Sequence, residues 1–361
     1  MSPDAKQGGH PWLLRIAEIF ADKAEDITTD LEPLTHTRLG REYHLLNLRK
    51  PGQGLNTPFA PLIRWNMPVQ HAWPCNPRSM DHFVERAAGG ITNTFSAASP
   101  QALRVGQLDP GSRDPAFKTL ARNLRGRLLQ LLPTFPARTD IDSQDPDQPT
   151  LFCLLGKQGL FAGIQSPRLS HGFHPGGTKF IRRDAQTNIS RAGAKIAEAL
   201  HHMPLYHPVP PAGARWLELG ASPGGMSSEL LRRDYAVTAI DRATMDPKLH
   251  QHPGLQIISK DVSTYQPPAG SRFDALLCDM NGPVEQSFRQ VIRLSTWLQP
   301  HSPIVFTLKG HGTTLPQELV SLAKRVESLA KHAGLQLLAT RHLSYNRWEL
   351  TLFLTNGESA K

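Results

Sequence analysis

The chain has 361 residues, enough for two or three domains at about 100–200 residues each. Its 39% hydrophobic and 20% charged residues are those of an ordinary soluble globular protein, and no apolar run reaches the ~18 residues that would span a bilayer. A formal charge of +9 and a pI of about 9.6 suit a polyanionic partner such as a nucleic acid.

The three cysteines, Cys75, Cys153 and Cys278, are far apart and form no C-x-x-C. This argues against a disulfide framework or a cysteine zinc site and fits a reducing cytoplasm. The first residues, "MSPDAKQGGHPWLLRIAEIF", lack the long apolar region of a secretory signal, so a cytoplasmic protein with no membrane or metal partner is expected. "WLLRIAEIFADKA" (12–24) has helical periodicity, "REYHLLNLR" (41–49) reads as a strand, and 51–61 reads as a loop. Residues 79–91 and 114–132 read as helices. In the second, Phe117, Leu120, Leu124, Leu128 and Leu131 form the apolar stripe, and Lys118, Arg122 and Arg125 fall largely off it. "LFCLLGKQGLFAGI" (151–164) reads as two strands around a Lys-Gln-Gly turn. The basic, proline- and glycine-rich stretch 165–190 follows, and its His171 and His174 lack a third ligand for a metal.

After this stretch the pattern alternates. Helices are expected at 190–202, 224–233, 284–298 and 315–333. Strands are expected at 215–219, 236–240, in "LQIIS", in "FDALLCD", and at 303–308, 335–341 and 348–354. Such alternation predicts an α/β fold, a mostly parallel sheet with helices on both faces. The direction of the last strand does not follow from periodicity.

The first of these strands runs into "GASPGG". Gly220 ends the strand where a side chain would block a ligand, and Gly224 and Gly225 open the helix with free backbone N–H groups. Asp241 follows Gly220 by 21 residues and ends the second strand, a spacing at which an acid accepts from ribose hydroxyls. Asp261 follows the third strand, where it can accept from an exocyclic amine, and Asp279 ends the fourth. A single strand-end aspartate is ordinarily a turn cap. Three of them behind one glycine turn point to a ligand. The spacing G-x-x-x-G-G matches neither the dinucleotide fingerprint nor a P-loop, whereas S-adenosylmethionine has ribose and adenine but no pyrophosphate and fits better.

Residues 188–354 resemble the FtsJ-like family of ribose 2′-O-methyltransferases. The resemblance rests on a tetrad in matching elements: Lys195 in "SRAGAK", Asp279 in "CDM", Lys309 in "VFTLKG" and Glu349 in "NRWELTLFL". It implies catalytic roles for Lys195, Asp279, Lys309 and Glu349, with Lys309 as base, Asp279 and Glu349 orienting its amine, and Lys195 holding the ribose or phosphate. It also implies S-adenosylmethionine contacts from Ser190, Gly220, Ala221, Ser222, Pro223, Gly224, Gly225, Met226, Asp241, Asp261 and Asp279. Met226 departs from the family pattern, which has an aromatic residue there.

The chain is similar, further, to the RlmM-type branch of that family, which modifies a cytidine ribose of large-subunit ribosomal RNA. "PRLSHGFHPGGTKF", "DPAFKTLARNLRGRLLQLLP" with "PTLFCLLGKQGLFAGI" and, more weakly, "APLIRWNMPVQHAW" carry this resemblance. It implies an α+β, ferredoxin-like subdomain at 1–78, a THUMP-like RNA-binding domain at 79–166, a basic linker at 167–187 and a Rossmann-like methyltransferase domain at 188–361. The sequence leaves the oligomeric state open, with a monomer as the default. A transfer-RNA methyltransferase, or a non-catalytic RNA-binding or assembly protein with a methyltransferase-like domain, are the alternatives.

Overall fold

The computed structural model describes residues 9–51, 55–74, 80–108, 115–132, 144–177 and 189–357. The chain divides into two compact units, Met1–Lys179 and Phe180–Lys361.

Among the described residues, the first unit contains two sheets. Strands β1 (His10–Ile16), β2 (Pro33–Leu39), β3 (Tyr43–Leu48) and β4 (Ile63–Pro68) form an antiparallel sheet in the order β2-β3-β1-β4, with the short helix α1 (Ala24–Thr28) after β1. The expected helix over 12–24 is therefore a strand, a 3-10 turn at Glu18–Lys23 and α1. The physical reason is burial: Trp12 to Ile16 lie between two neighbouring strands and are all buried. Such a strand has no exposed face to alternate with a buried one, and its mostly apolar run fits a helical stripe equally well.

The second sheet has the order β5-β8-β7-β6, from β5 (His71–Trp73), β6 (Ala102–Gln107), β7 (Thr150–Gly156) and β8 (Gly159–Gln165). Helices α2 (Met80–Phe95) and α3 (Pro115–Leu131) bury Ala87, Ile91, Leu120, Leu124 and Leu128 in one core with Leu151, Cys153 and Leu155 of β7. The stripe read from the sequence of α3 is the face that packs. A four-residue helix, α4 (Pro167–Ser170), follows. Residues 167–177, expected as the start of a linker, are packed into this unit: His171 is buried with Nδ1 3.1 Å from the Ile63 carbonyl, and the Gly176 carbonyl accepts from Arg15. The rest of the expected linker, 178–187, lies outside the described residues, as does Cys75.

The second unit is a seven-stranded sheet: β9 (Arg215–Leu219), β10 (Ala236–Asp241), β11 (Leu255–Ser259), β12 (Ala275–Cys278), β13 (Pro303–Lys309), β14 (Leu335–Arg341) and β15 (Glu349–Asn356). The order is β11-β10-β9-β12-β13-β15-β14, with β15 antiparallel to both of its neighbours and the pairs from β11 to β13 parallel. Helices α5 (Ala192–His202), α6 (Gly225–Leu231), α7 (Val284–Ser295) and α8 (Pro316–His332) complete it. Adjacent residues of β13 point to opposite faces, and this places helices on both. Val305 joins a core with Ile196 and Leu200 of α5 and Leu230 of α6, whereas Phe306 meets Phe288 of α7 edge to face. The strand order reverses beside β9, so a crevice opens at the carboxyl ends of β9 and β12.

Candidate active site

Gly220 closes β9 with φ +77°, and a Cβ there would sit 2.9 Å from the Met280 Cα. Only glycine meets both demands. Gly224 has φ +107° and precedes α6, and a Cβ on Gly225 would run into the Ser190 hydroxyl. The chain around the turn is therefore drawn tight, and a cavity of about 420 Å3 opens beside it. Gly220, Asp241, Asp261, Met280 and Asn281 line it, together with Gln286 and Gln290 of α7.

Asp241 accepts from the Ser222 backbone N–H at 3.0 Å and from the Ala243 N–H at 2.8 Å. Asp261 accepts from the Ser263 N–H at 2.8 Å and its hydroxyl at 2.6 Å, and these two donors hold its carboxyl below the usual range. Both aspartates cap local turns, as isolated strand-end acids do, and both also face the cavity. A carboxylate has about four acceptor sites, so each keeps capacity for a ligand. Arg293 of α7 donates to the carbonyls of Val262 (2.6 Å) and Tyr265 (2.8 Å) and so holds the loop after Asp261.

Not every expected ligand contact reaches the cavity wall. Ala221 and Met226 are buried in the core between α5, α6 and the sheet. The Ser222 hydroxyl donates to the Thr244 carbonyl, and Pro223 accepts from the Asp246 N–H through its carbonyl. Ser190 accepts from the Ala192 N–H. Ala221 and Met226 thus belong to the core, and the hydrogen bonds of the other three hold the turn and the residues beside it.

The four residues of the tetrad converge from four elements. Lys195 Nζ lies 2.6 Å from Glu349 Oε2 and 3.7 Å from Asp279 Oδ1. Lys309 Nζ lies 3.1 Å from the same Asp279 oxygen. All four side chains are less than one-fifth exposed. Asp279 Oδ1 and Glu349 Oε2 are enclosed, and the contacts they make are with lysine ammonium groups. Strand direction explains the meeting. Lys309 is the last residue of β13 and Glu349 the first of β15, and an antiparallel pair puts those ends in register. Glu349 was expected to orient Lys309, but its ion pair is with Lys195.

Three residues that the sequence reading did not single out belong to the site. Asn281 Oδ1 accepts from Lys309 Nζ at 2.9 Å. Glu198, one turn along α5 from Lys195 and 2% exposed, accepts from the backbone N–H groups of Ser344 (2.9 Å) and Tyr345 (3.1 Å). It thereby pins the loop that leads to Glu349. Glu218, next to the last residue of β9 and also 2% exposed, accepts from the Ser227 hydroxyl at 2.6 Å. Burial, aided by the charges of Asp279 and Asp241, pushes its carboxyl up to about 8. An acid inside an apolar strand is a legible signal. Asn281 and Glu198 leave no such mark. Cys278 is buried, its thiol pushed up to about 12, and so it is no nucleophile.

Among the described residues no group of three or more His, Cys, Asp or Glu side chains is placed to hold a metal, and no helix is long and apolar enough to cross a membrane. The FtsJ-like methyltransferase family model matches residues 189–327, a span that ends before β14 and β15. Curated relatives include the Ribosomal RNA large subunit methyltransferase M of Halorhodospira halophila, 32% identical over 195 residues, which are 53% of this chain and 55% of that protein. The protein of the same name from Xylella fastidiosa (strain 9a5c) is 34% identical over 147 residues, 40% of each chain. The chain thus spans about half the length, or less, of the curated relatives it matches. Among solved structures, fibrillarin from Aeropyrum pernix is 16% identical, with 59% of this chain and 85% of that chain covered and a TM-score of 0.37, a likeness too slight to carry an argument. The family match takes in β9 to β13, the glycine turn and the cavity, and residues 189–327 are an FtsJ-like methyltransferase domain.

Proposed function

We propose that this protein transfers a methyl group from S-adenosylmethionine to a ribose 2′-hydroxyl of RNA, and that the target is a cytidine of large-subunit ribosomal RNA. The observation that carries the reading is the convergence of Lys195, Asp279, Lys309 and Glu349 at the strand ends bordering the cavity of Gly220, Asp241 and Asp261. The names of the matched relatives support the ribosomal target.

The residues fit the cofactor. Gly220 leaves the space a Cβ would fill, Asp241 offers acceptor sites to ribose hydroxyls, and Asp261 offers them to an exocyclic amine. A volume of about 420 Å3 suits a ligand of that size. Bound there, S-adenosylmethionine supplies an electrophilic methyl group on a sulfonium.

A ribose hydroxyl attacks poorly until its proton leaves, so a positioned base is required. Lys309 Nζ takes that proton, held by Asp279 Oδ1 at 3.1 Å. Lys195, neutralised by Glu349 at 2.6 Å, holds the ribose or an adjoining phosphate. Because both lysines share Asp279 Oδ1, a charge brought to one acts on the other.

The first unit supplies the RNA affinity, as a THUMP-like module. Lys118 and Arg122 of α3 are exposed and Arg125 is half-buried, while the apolar face of the helix is occupied by the core. A separate module raises the effective concentration of the target at the methyl-transfer pocket.

The test is methyl incorporation from labelled S-adenosylmethionine into deproteinised ribosomal RNA and into transfer RNA, with the modified ribose mapped. Incorporation at a cytidine of large-subunit RNA is expected. Incorporation confined to transfer RNA would overturn the target, and incorporation into neither RNA by cofactor-loaded protein would overturn the activity.

A further inference from the structure

We infer that Asn281 is a positioning residue for Lys309, a neutral acceptor that fixes the rotation of the amine so that its lone pair faces the reacting hydroxyl. The inference deepens the proposed function and rests on it only for the identity of that hydroxyl.

Beyond its Cε bond, Lys309 Nζ has three tetrahedral positions. One is directed at Asn281 Oδ1 in a hydrogen bond of 2.9 Å, whereas Asp279 Oδ1, 3.1 Å away, is an ion-pair contact without hydrogen-bond geometry. A neutral amine keeps two hydrogens and one lone pair. With one hydrogen on Asn281, the carboxylate charge of Asp279 draws the second hydrogen to its side and turns the lone pair away from it. With Asp279 alone, the amine turns about the Cε–Nζ bond and the lone pair sweeps past the hydroxyl. The orientation of the amide is settled by chemistry, because a lysine ammonium has only donors and therefore meets Oδ1 rather than Nδ2.

The charge of the acceptor matters as much as its place. Facing Lys309 are the carboxylate of Asp279 after β12, the ammonium of Lys195 from α5 on the same oxygen, and the carboxylate of Glu349 on β15, taken up by Lys195 at 2.6 Å. The Cys278 thiol beside Asp279 is buried and neutral. A second carboxylate on Lys309 would favour the ammonium form and keep the base loaded with its proton. An amide orients the amine with no net charge. Asn281 also lines the cavity with Gly220 and Met280, so one side chain ties the base to the wall of the methyl-donor site.

Asn281→Ala and Asn281→Asp separate orientation from charge. In the full-length protein, with selectively labelled lysines and Lys309→Arg to assign the signal, NMR follows the Nζ hydrogens of Lys309 without RNA or turnover. Their exchange with solvent is expected to quicken in Asn281→Ala, which takes away the acceptor of one hydrogen, and to stay near that of the wild type in Asn281→Asp, which keeps an acceptor there. Single-turnover methyl transfer, with cofactor and RNA saturating, is expected to drop about tenfold or more at its high-pH plateau in Asn281→Ala, in line with lost alignment of a base. In Asn281→Asp the wild-type plateau is expected to return, displaced to higher pH. Exchange unchanged in Asn281→Ala, or equally fast in both variants, overturns the inference whatever the rates. Faster exchange in Asn281→Ala alone, in a protein that methylates no RNA, would sustain the placement of Asn281 and sink the proposed function instead.

Discussion

Replacing Glu218 by Gln tests whether an acid sits neutral inside the sheet. Glu218 is 2% exposed in the interior strand β9, it accepts from the Ser227 hydroxyl at 2.6 Å, and its carboxyl is pushed up to about 8 from an ordinary 4.5. The folded state therefore binds the proton more tightly than the unfolded chain. The stabilisation this gives is complete below about 4.5 and is lost as pH rises toward about 8, beyond which nothing further is lost. Between about pH 6 and about pH 9 the wild type should lose roughly 2–3 kcal/mol through this group alone, at about 1.4 kcal/mol per pKa unit. Glutamine keeps the shape and an acceptor for Ser227 but has no proton to lose. Urea unfolding of both proteins at the two pH values, followed through the buried Trp216 on the same strand, isolates this contribution as the difference of the differences. Glu218→Gln should hold its midpoint across the range more closely than the wild type. Equal losses in the two proteins would refute the neutral acid, and the acid at the back of the glycine turn would then be charged or hydrated.

Asp241→Ala should weaken S-adenosylmethionine binding by about ten- to a hundredfold, the worth of hydrogen bonds to a charged acceptor; calorimetry reads this directly, and an unchanged affinity would count against the pocket. Lys309→Ala should lower the single-turnover rate by about 10²–10⁴-fold while the cofactor stays bound. A near-normal rate would remove Lys309 as the base. Arg122→Ala combined with Arg125→Ala should weaken RNA binding and flatten its salt dependence by about 0.7 per lost phosphate contact to single-stranded RNA. If RNA affinity holds while salt dependence is unchanged, helix α3 is not the RNA face.

Much of the second unit is legible in its residues because the signals are local. "WLEL" and "LQIIS" become strands at the boundaries read from the sequence, and the glycines of "GASPGG" mark the turn because positive φ and close approach leave no other residue. The first unit is less legible. Trp12 to Ile16 are buried on both faces, so the alternation that betrays a strand is missing, and β2, β4, β5 and β6 carry too little pattern of their own to be read. The site divides in the same way. Lys195, Asp279, Lys309 and Glu349 were identified through a resemblance, whereas Asn281 and Glu198 make their contacts across 28 and 146 residues of chain, beyond the reach of any spacing rule.

By itself the sequence determined the class of fold, the glycine turn, and the aspartates that close successive strands, because helical and strand periods and turn chemistry act within a few residues. The tertiary structure alone decided that β15 enters antiparallel between β13 and β14. Strand order and direction are set by pairings between distant segments, whose energies no local window contains. That one choice of direction sets the first residue of β15 beside the last of β13, brings Glu349 to Lys195, and leaves Lys309 to Asp279 and Asn281.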